Sequence, residues 1–409
     1  MRVILVSDYG HVNGGAAQVA ISSARLLAKQ GIPVVFACAL GPISPQLDHP
    51  LIETHCLGET HIWAVRQPWR AAAQAIWNAA ASQWLRTLIH ESDPNQTVVH
   101  LHQWTKAFSP SVLAAATTSR LPFVVTLHDY FLSCPNGAYF IYPKQRPCTV
   151  QPMSATCWST NCDSRSSAHK AVRLLRQVAT VTAVRRRNTP LHVIHVSRRA
   201  AEVARPLLPP TCRHWVLQNP VNEALGTRIT AEHNRAVVCV GRVTVEKGCV
   251  VVAQATARAR MPLVVMGEGP ALEQVREANP NADIRPWGDR EAVERCFEEA
   301  RVLALPSLWH ETGGLVAQEA MARGVPAIVS TISGASDIVH RAQGPVVPPG
   351  DTGALTKALR ELENDTFVRH LSEQAYHTMS TGPQRPGAHA EGLINIYRSI
   401  LAEHQQEAV

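Results

Sequence analysis

Val237-Val238-Cys239-Val240-Gly241-Arg242-Val243-Thr244-Val245-Glu246-Lys247-Gly248 decides the fold. Its opening apolar run, with no polar alternation, predicts a strand buried on both faces, and the glycines at 241 and 248 bracket a loop before the next amphipathic stretch. A strand handing over to a helix through a glycine loop is the unit of a parallel sheet. The pattern recurs in both directions. Upstream, strands are predicted at Arg2 to Ser7, Ile32 to Cys38, Thr97 to Leu101, Phe123 to Leu127 and His192 to Ser197. Downstream, Leu263 to Met266, Asp283 to Pro286, Val302 to Leu305 and Ala327 to Ser330 join Val237 to Val240. The expected fold class is α/β, with two doubly wound Rossmann-like sheets whose strand-end loops face a central cleft.

The bulk numbers agree. A chain of 409 residues, 45% hydrophobic and 17% charged, suits two or three ordered domains. The turn-forming run Gln218-Asn219-Pro220-Val221-Asn222 marks the expected boundary, giving one domain over 1–218 and another over 219–385. Residues 386–409 carry Leu393, Ile394, Tyr397, Ile400 and Leu401 at helical spacing and predict a terminal helix packing back across the domains. Charge divides at the same place: residues 1–220 hold 21 Lys and Arg against 9 Asp and Glu, and residues 221–409 hold 18 against 23. The basic half calls for an anionic partner, which charge alone leaves as nucleic acid, membrane or phosphate-bearing ligand. The apolar run Val3 to Val6 is too short for a signal peptide, and no stretch approaches the length of a membrane span. A cytoplasmic protein is expected, able to work at the inner face of the membrane.

Four motifs carry chemistry. Asn13-Gly14-Gly15-Ala16-Ala17 lies between the first strand and its helix, where backbone amides can approach a phosphate or simply make a tight turn. Arg242 and Lys247 place two cations at a strand end, suited to a diphosphate or to plain surface solvation. Glu311-Thr312-Gly313-Gly314-Leu315-Val316-Ala317-Gln318-Glu319 puts two carboxylates around a helix start whose free amides at Gly313, Gly314, Leu315 and Val316 can bind phosphate. Glu311 can accept from sugar hydroxyls and Glu319 from a ribose. Read as a hydrolase pair, a wholly helical segment would separate them by about 12 Å, too far for that chemistry. His128, after Phe123 to Leu127, stands where a cleft ligand would meet it.

In this order these residues, with Gly267-Glu268-Gly269-Pro270 and Pro348-Pro349-Gly350-Asp351, resemble the retaining glycosyltransferases of family 4, which have the two-domain GT-B fold. The resemblance covers most of the chain and is strongest from Val237 to Leu359. It implies that the domain over 1–218 receives the acceptor and that over 219–385 the donor. Arg242 and Lys247 would bind the donor diphosphate, Glu319 the ribose and Glu311 the donor sugar, with Gly15 and His128 matching the amino-terminal phosphate loop and the cleft histidine. The family usually has an aromatic residue where this chain has Gly313. The implied reaction moves a sugar from a nucleotide-diphosphate sugar to a glycan or lipid-linked acceptor with retention, as in polysaccharide or glycoconjugate synthesis. No cofactor or catalytic metal is required. A sugar phosphorylase or epimerase on the same fold is the alternative; a nucleic-acid partner leaves Glu311 and Glu319 unexplained.

Two segments remain. Cys134, Cys148, Cys157 and Cys162 crowd an expected insertion over about 130–164, either as buried thiols or as zinc ligands of unorthodox spacing. Between Tyr130 and Ala201 stand eleven Lys and Arg and one acid, Asp163. Arg165, Lys170, Arg173 and Arg176, with Val172, Leu175 and Val178 between them and Arg185, Arg186 and Arg187 following, suggest a basic amphipathic helix. Residues 165–187 could then touch an anionic membrane or form an ordinary solvated face.

Overall fold

The structure, a computed structural model, describes residues 1–187, 190–221 and 227–407. Its first sheet contains β1 (Arg2–Tyr9), β2 (Val34–Leu40), β3 (Ile52–Cys56), β4 (Thr97–Leu101) and β5 (Phe123–Leu127). A small antiparallel pair, β6 (Phe140–Ile141) and β7 (Arg146–Pro147), interrupts before β8 (Leu191–His195) and β9 (Arg213–Val216) complete it. The order is β3-β2-β1-β4-β5-β8-β9, parallel throughout. The second sheet has β10 (Ala236–Val240), β11 (Leu263–Met266), β12 (Asp283–Arg285), β13 (Ala300–Leu305), β14 (Ala327–Ser330) and β15 (Val346–Val347), in the parallel order β12-β11-β10-β13-β14-β15.

The uninterrupted apolar runs have their reason in burial on both faces. In β10, Val238 and Val240 join one core and Val237 and Cys239 the other; in β1, Ile4 and Val6 oppose Val3 and Leu5 in the same way. Each such side chain contributes about 1.5–3 kcal/mol on leaving water. All the expected strands form, with ends shifted by a few residues. Three further strands, β3, β9 and β15, lie at sheet edges; β3 and β9 are only half-buried and β15 is two residues long, so they lack the apolar runs of the interior strands.

Six helices matter for the site and its surroundings: α1 (Gly15–Lys29), α2 (Pro68–Ile76), α3 (Ala155–Ser159), α4 (Ser167–Arg185), α5 (Leu315–Ala322) and α6 (Pro386–Glu407). Helix α6 returns to the first sheet, against α1 and β4, burying Leu393, Tyr397 and Ile400. The Tyr397 hydroxyl lies 2.6 Å from His100 Nδ1, and His389 joins Ser23 Oγ at 3.0 Å to the Gln218 carbonyl at 2.8 Å. Asn222, the last residue of the expected boundary turn, lies outside the described residues. No helix among the described residues is long and apolar enough to cross a membrane.

The insertion corrects the reading of the basic helix. Its central cations face inward, Lys170 and Arg176 being buried, whereas Leu175 and Val178 are 50% and 43% exposed; Arg165, Arg185 and Arg186 at its two ends stay exposed. The cause is the insertion itself, whose irregular backbone leaves carbonyls in need of donors. Arg173 Nη1 donates to Asn136 O at 3.2 Å and pairs with Asp163 at 2.8 Å; Arg176 donates to Pro135 O and Gln177 to Leu132 O. Lys170 Nζ donates to Cys162 Sγ at 3.3 Å and Cys157 Sγ at 3.6 Å, so those sulfurs already face a cation supplied by the chain. Among the described residues no group of three or more His, Cys, Asp or Glu is arranged to hold a metal ion.

In the second sheet, Arg301 is fully buried on β13, donating to Leu362 O, Glu232 O and Asn234 O and reaching Asp365 at its exposed end. Arg301→Leu leaves three carbonyls without donors. It is expected to cost about 3–5 kcal/mol and to lower the thermal midpoint by about 10 °C, measured by calorimetry; an unchanged midpoint contradicts this account.

Candidate functional site

Loops at the carboxyl ends of both sheets converge. After β10, residues 241–248 turn back so closely that a Cβ on Gly248, at φ +79°, would lie 2.4 Å from the Pro306 carbonyl oxygen. Only glycine permits this approach, and it brings Lys247 to the end of β13. There Lys247 pairs with Glu311, which is buried and also accepts from Ser307 Oγ at 2.7 Å. The Lys247 ammonium stands 5.4 Å from the ring centre of Trp309. Arg242 is exposed at the end of β10, without an ion pair among the described residues. It reaches far enough to oppose the rise in the Tyr142 phenol pKa, which burial, followed by the charge of Glu246, pushes up to about 12.

The first sheet supplies the opposite wall. At the end of β5, His128 Nε2 lies 2.9 Å from His102 Nδ1, and the His128 carbonyl accepts from Thr312 Oγ1 at 2.8 Å. Burial lowers His128 to about 3, with the nearby His389 adding to the effect, so its imidazole is neutral near pH 7. Burial likewise raises Asp129 to about 6. Tyr130 is buried without a partner for its hydroxyl; desolvation, and then the charge of Glu311, raise its pKa. Further contacts tie the walls together: Ser197 Oγ donates to Thr312 O at 2.7 Å and Arg199 Nη2 to Thr331 O at 2.8 Å.

Two helix starts meet at the same place. A Cβ on Gly15 would sit 2.7 Å from Leu315 Cδ1, so the first turns of α1 and α5 abut. The first-turn amides of α5, including Leu315 and Val316, have no acceptor inside the helix, and Gly314, at the N-cap position in the left-handed conformation, offers them no side-chain acceptor. Adjacent helix amino termini concentrate positive potential suited to phosphate. One turn on, Gln18 Nε2 donates to Glu319 Oε1 at 2.9 Å, and burial raises the Glu319 pKa against that bond.

The expected site residues are therefore not equivalent. Lys247 and Glu311 touch; His128 reaches the adjoining Thr312 through its carbonyl; Gly15 meets Leu315. Arg242 stands at the rim, and Glu319 is engaged by Gln18. The 311–319 segment is not wholly helical, since α5 starts at Leu315, and its two carboxylates have different partners. Gln18, Ser307, Thr312 and Tyr130 were not singled out from sequence. Ser307 and Thr312 share the β13 strand-end segment with Glu311, and that proximity was the available signal.

Gly313 has a specific neighbour. A Cβ there would lie 3.0 Å from Asn219 Nδ2 and 3.6 Å from Val196 Cγ2, so an aromatic side chain needs Asn219 to move. Gly313→Phe is expected to reduce transfer about 100-fold through displacement of the α5 amino terminus, with little loss of thermal stability. A variant with parental kcat and KM contradicts that.

Comparison with known proteins agrees with this geometry. The family model described as Glycosyltransferase Family 4 matches residues 13–225, and that described as Glycosyl transferases group 1 matches 234–365. O-antigen chain mannosyltransferase C of Escherichia coli is 27% identical over 174 residues, 40% of this chain and 46% of the relative. An uncharacterized glycosyltransferase of Methanocaldococcus jannaschii is 23% identical over 186 residues, 42% and 46% of the two chains. The chain thus spans less than half the length of these curated relatives in the matched stretches. Sucrose-phosphate synthase from Thermosynechococcus elongatus superposes with TM-score 0.68 at 17% identity, over 98% of this chain and 99% of that one. Anabaena HepE, solved with UDP-glucose, gives 0.67 at 16%, over 98% and 100%. The two parallel sheets, their facing strand-end loops and the profile covering more than half of the sequence make one conclusion: the fold is GT-B and the chain belongs to glycosyltransferase family 4.

Proposed function

We propose that this protein transfers a sugar from a nucleoside-diphosphate donor to a glycan or lipid-linked acceptor, with retention of anomeric configuration. The observation that carries the reading is the Lys247 and Glu311 pair at the junction of β10 and β13, next to Thr312, whose hydroxyl donates to the His128 carbonyl of the other sheet. A donor diphosphate competes with Glu311 for the Lys247 ammonium and frees the carboxylate for sugar hydroxyls. Arg242 at the rim and the amides of Gly313, Gly314, Leu315 and Val316 complete the positive surround, with Gly15 beside them. As the bond from anomeric carbon to phosphate oxygen breaks, the leaving diphosphate gains charge where these groups are already placed. The acceptor oxygen bonds to the same face, and its proton passes to a donor phosphate oxygen. Neutral His128 orients donor or acceptor by hydrogen bonding, and Glu319 holds the ribose after exchanging Gln18.

In this reading the second sheet, over 219–385, binds donor, and the first, over 1–218, receives acceptor. The chain supplies the cations, so no metal or further cofactor enters the step. The UDP-glucose in the Anabaena HepE structure supports a nucleotide-sugar donor, and the O-antigen chain mannosyltransferase supports a glycan acceptor. A panel of UDP-, GDP- and ADP-sugars, read by thermal shift and by slow donor hydrolysis, tests it. One base and one sugar are expected to stand out in both assays. Equal stabilisation by the whole panel and by free pyrophosphate, without turnover, would overturn the assignment.

A further inference from the structure

We infer that the outer face of α2 and α4 is a docking surface for an anionic lipid bilayer, placing the acceptor side of the cleft at the membrane. The glycosyltransferase reading supplies its purpose; the surface stands on separate observations. Along α2 and its cap, Trp69, Ala73 and Trp77 follow at four-residue steps on the outward side, with Trp69 67% and Trp77 46% exposed. Helix α4 packs beside α2 and turns Ala171, Leu175 and Val178 outward, while its middle cations Lys170 and Arg176 are buried against the insertion. Exposed Trp63, preceding α2, lies beside His169 of α4, ring centres 5.6 Å apart. An ordinary solvated helix shows the reverse arrangement, with cations outside and apolar residues inside.

The charge around these rings is mainly positive, the acid beside α2 being the half-buried Glu59, which accepts from Gln74 and Asn78. The Arg165 guanidinium lies 3.6 Å over the Trp63 ring and that of Arg70 5.1 Å from the Trp69 ring; Arg66 is exposed nearby in sequence, and Arg185 and Arg186 are exposed at the far end of α4. Neither residues 60–90 nor residues 164–201 contain an Asp or Glu. Tryptophan settles at the headgroup level of a bilayer, where its ring meets acyl chains and its N–H meets water, and arginines beside it meet lipid phosphates. Stacking of nucleic-acid bases would need open ring faces, and Arg165 already covers Trp63. His61, two residues before Trp63, lies with its ring centre 6.2 Å from that of Tyr9 at the carboxyl end of β1, so the surface adjoins the acceptor side.

The test uses the full chain with phosphatidylcholine vesicles, with and without phosphatidylglycerol. The parent is expected to sediment with the anionic vesicles and to show a blue-shifted tryptophan emission. Trp69→Ser with Trp77→Ser, and separately Arg66→Ser with Arg70→Ser, should each weaken binding about tenfold or more. Thermal midpoints and donor-induced thermal shifts should match the parent, because none of these residues lies in the cleft. Equal binding to both vesicle types, or Trp variants that bind like the parent, would sink the proposal. Loss in the variants of a concentration-dependent dimer, without vesicle binding by the parent, would assign the face to a second copy and equally overturn it. Failure of vesicle binding leaves the donor-induced shift intact, and failure of that shift leaves vesicle binding intact, so the two readings fall separately.

Discussion

Lys247→Ala is expected to lower kcat for sugar transfer by about 10²–10³-fold, as removal of one preorganised charge from a transition-state site generally does. The substitution removes the cation that β10 and Gly248 hold at the end of β13, leaving Glu311 with Ser307 as its remaining side-chain partner. KM for donor should rise much less if the charge acts mainly on the leaving group. Lys247→Arg should recover part of the loss, because the charge returns but the planar fork does not reproduce a point ammonium. Steady-state kinetics on the donor selected by the nucleotide-sugar panel measure this. A Lys247→Ala enzyme with kcat within about twofold of the parent would remove Lys247 from the catalytic assignment.

The second large effect is acid lability. Burial lowers His128 to about 3 and His192, His195 and His389 to about 4, and holds the fully buried His100 and His102 well below their usual range. In the unfolded chain each of these binds a proton near pH 6.5, whereas in the fold each stays neutral to lower pH. Protons therefore favour the unfolded state as pH falls below about 6.5, at up to about 1.4 kcal/mol per pH unit for each histidine. Asp129, raised to about 6, works in the opposite direction and offsets about one of them. Between pH 6.5 and 4.5 the four histidines with values of about 4 or lower sum to about 9 kcal/mol, or about 7 after the Asp129 offset, which rivals the stability of a typical domain. The first sheet is expected to unfold with a midpoint near pH 5, followed by circular dichroism and tryptophan fluorescence. A melting temperature unchanged from pH 7 to 4.5 would contradict the burial account. His128 should contribute no inflection to the rate profile near pH 6.5, because its proton has already left.

These expectations depend on different depths of information. The interior strands were legible because their signal is local: Val237 to Val240 and Phe123 to Leu127 are apolar on both sides and stop at turn-forming or polar residues. The edge strands β3 and β9 were not, since one edge lacks a neighbour and their residues stay half-exposed. The same division runs through the site. Gly248, Lys247, Glu311 and the α5 start could be found by spacing along one segment, but the partners Ser307, Gln18 and Thr312 emerge only when the strand ends converge.

Helix α4 shows the distinction most plainly. Its amphipathic period was visible, yet period alone assigns no direction, and cations on a helix usually face water. Here an insertion with unpaired carbonyls draws Arg173 and Arg176 inward and leaves Leu175 and Val178 outside. The sequence by itself determined the two parallel sheets, their glycine-marked strand-end loops and the chemical types available at the cleft, because periodicity and turn chemistry act over a few residues. Which side chain meets which, which histidines lose their protons and which face of α4 meets solvent were decided by the tertiary structure. Hydrogen-bond partners and desolvation are set by groups hundreds of residues apart in the chain, as the bonds from Gln18 to Glu319 and between His100 and Tyr397 show.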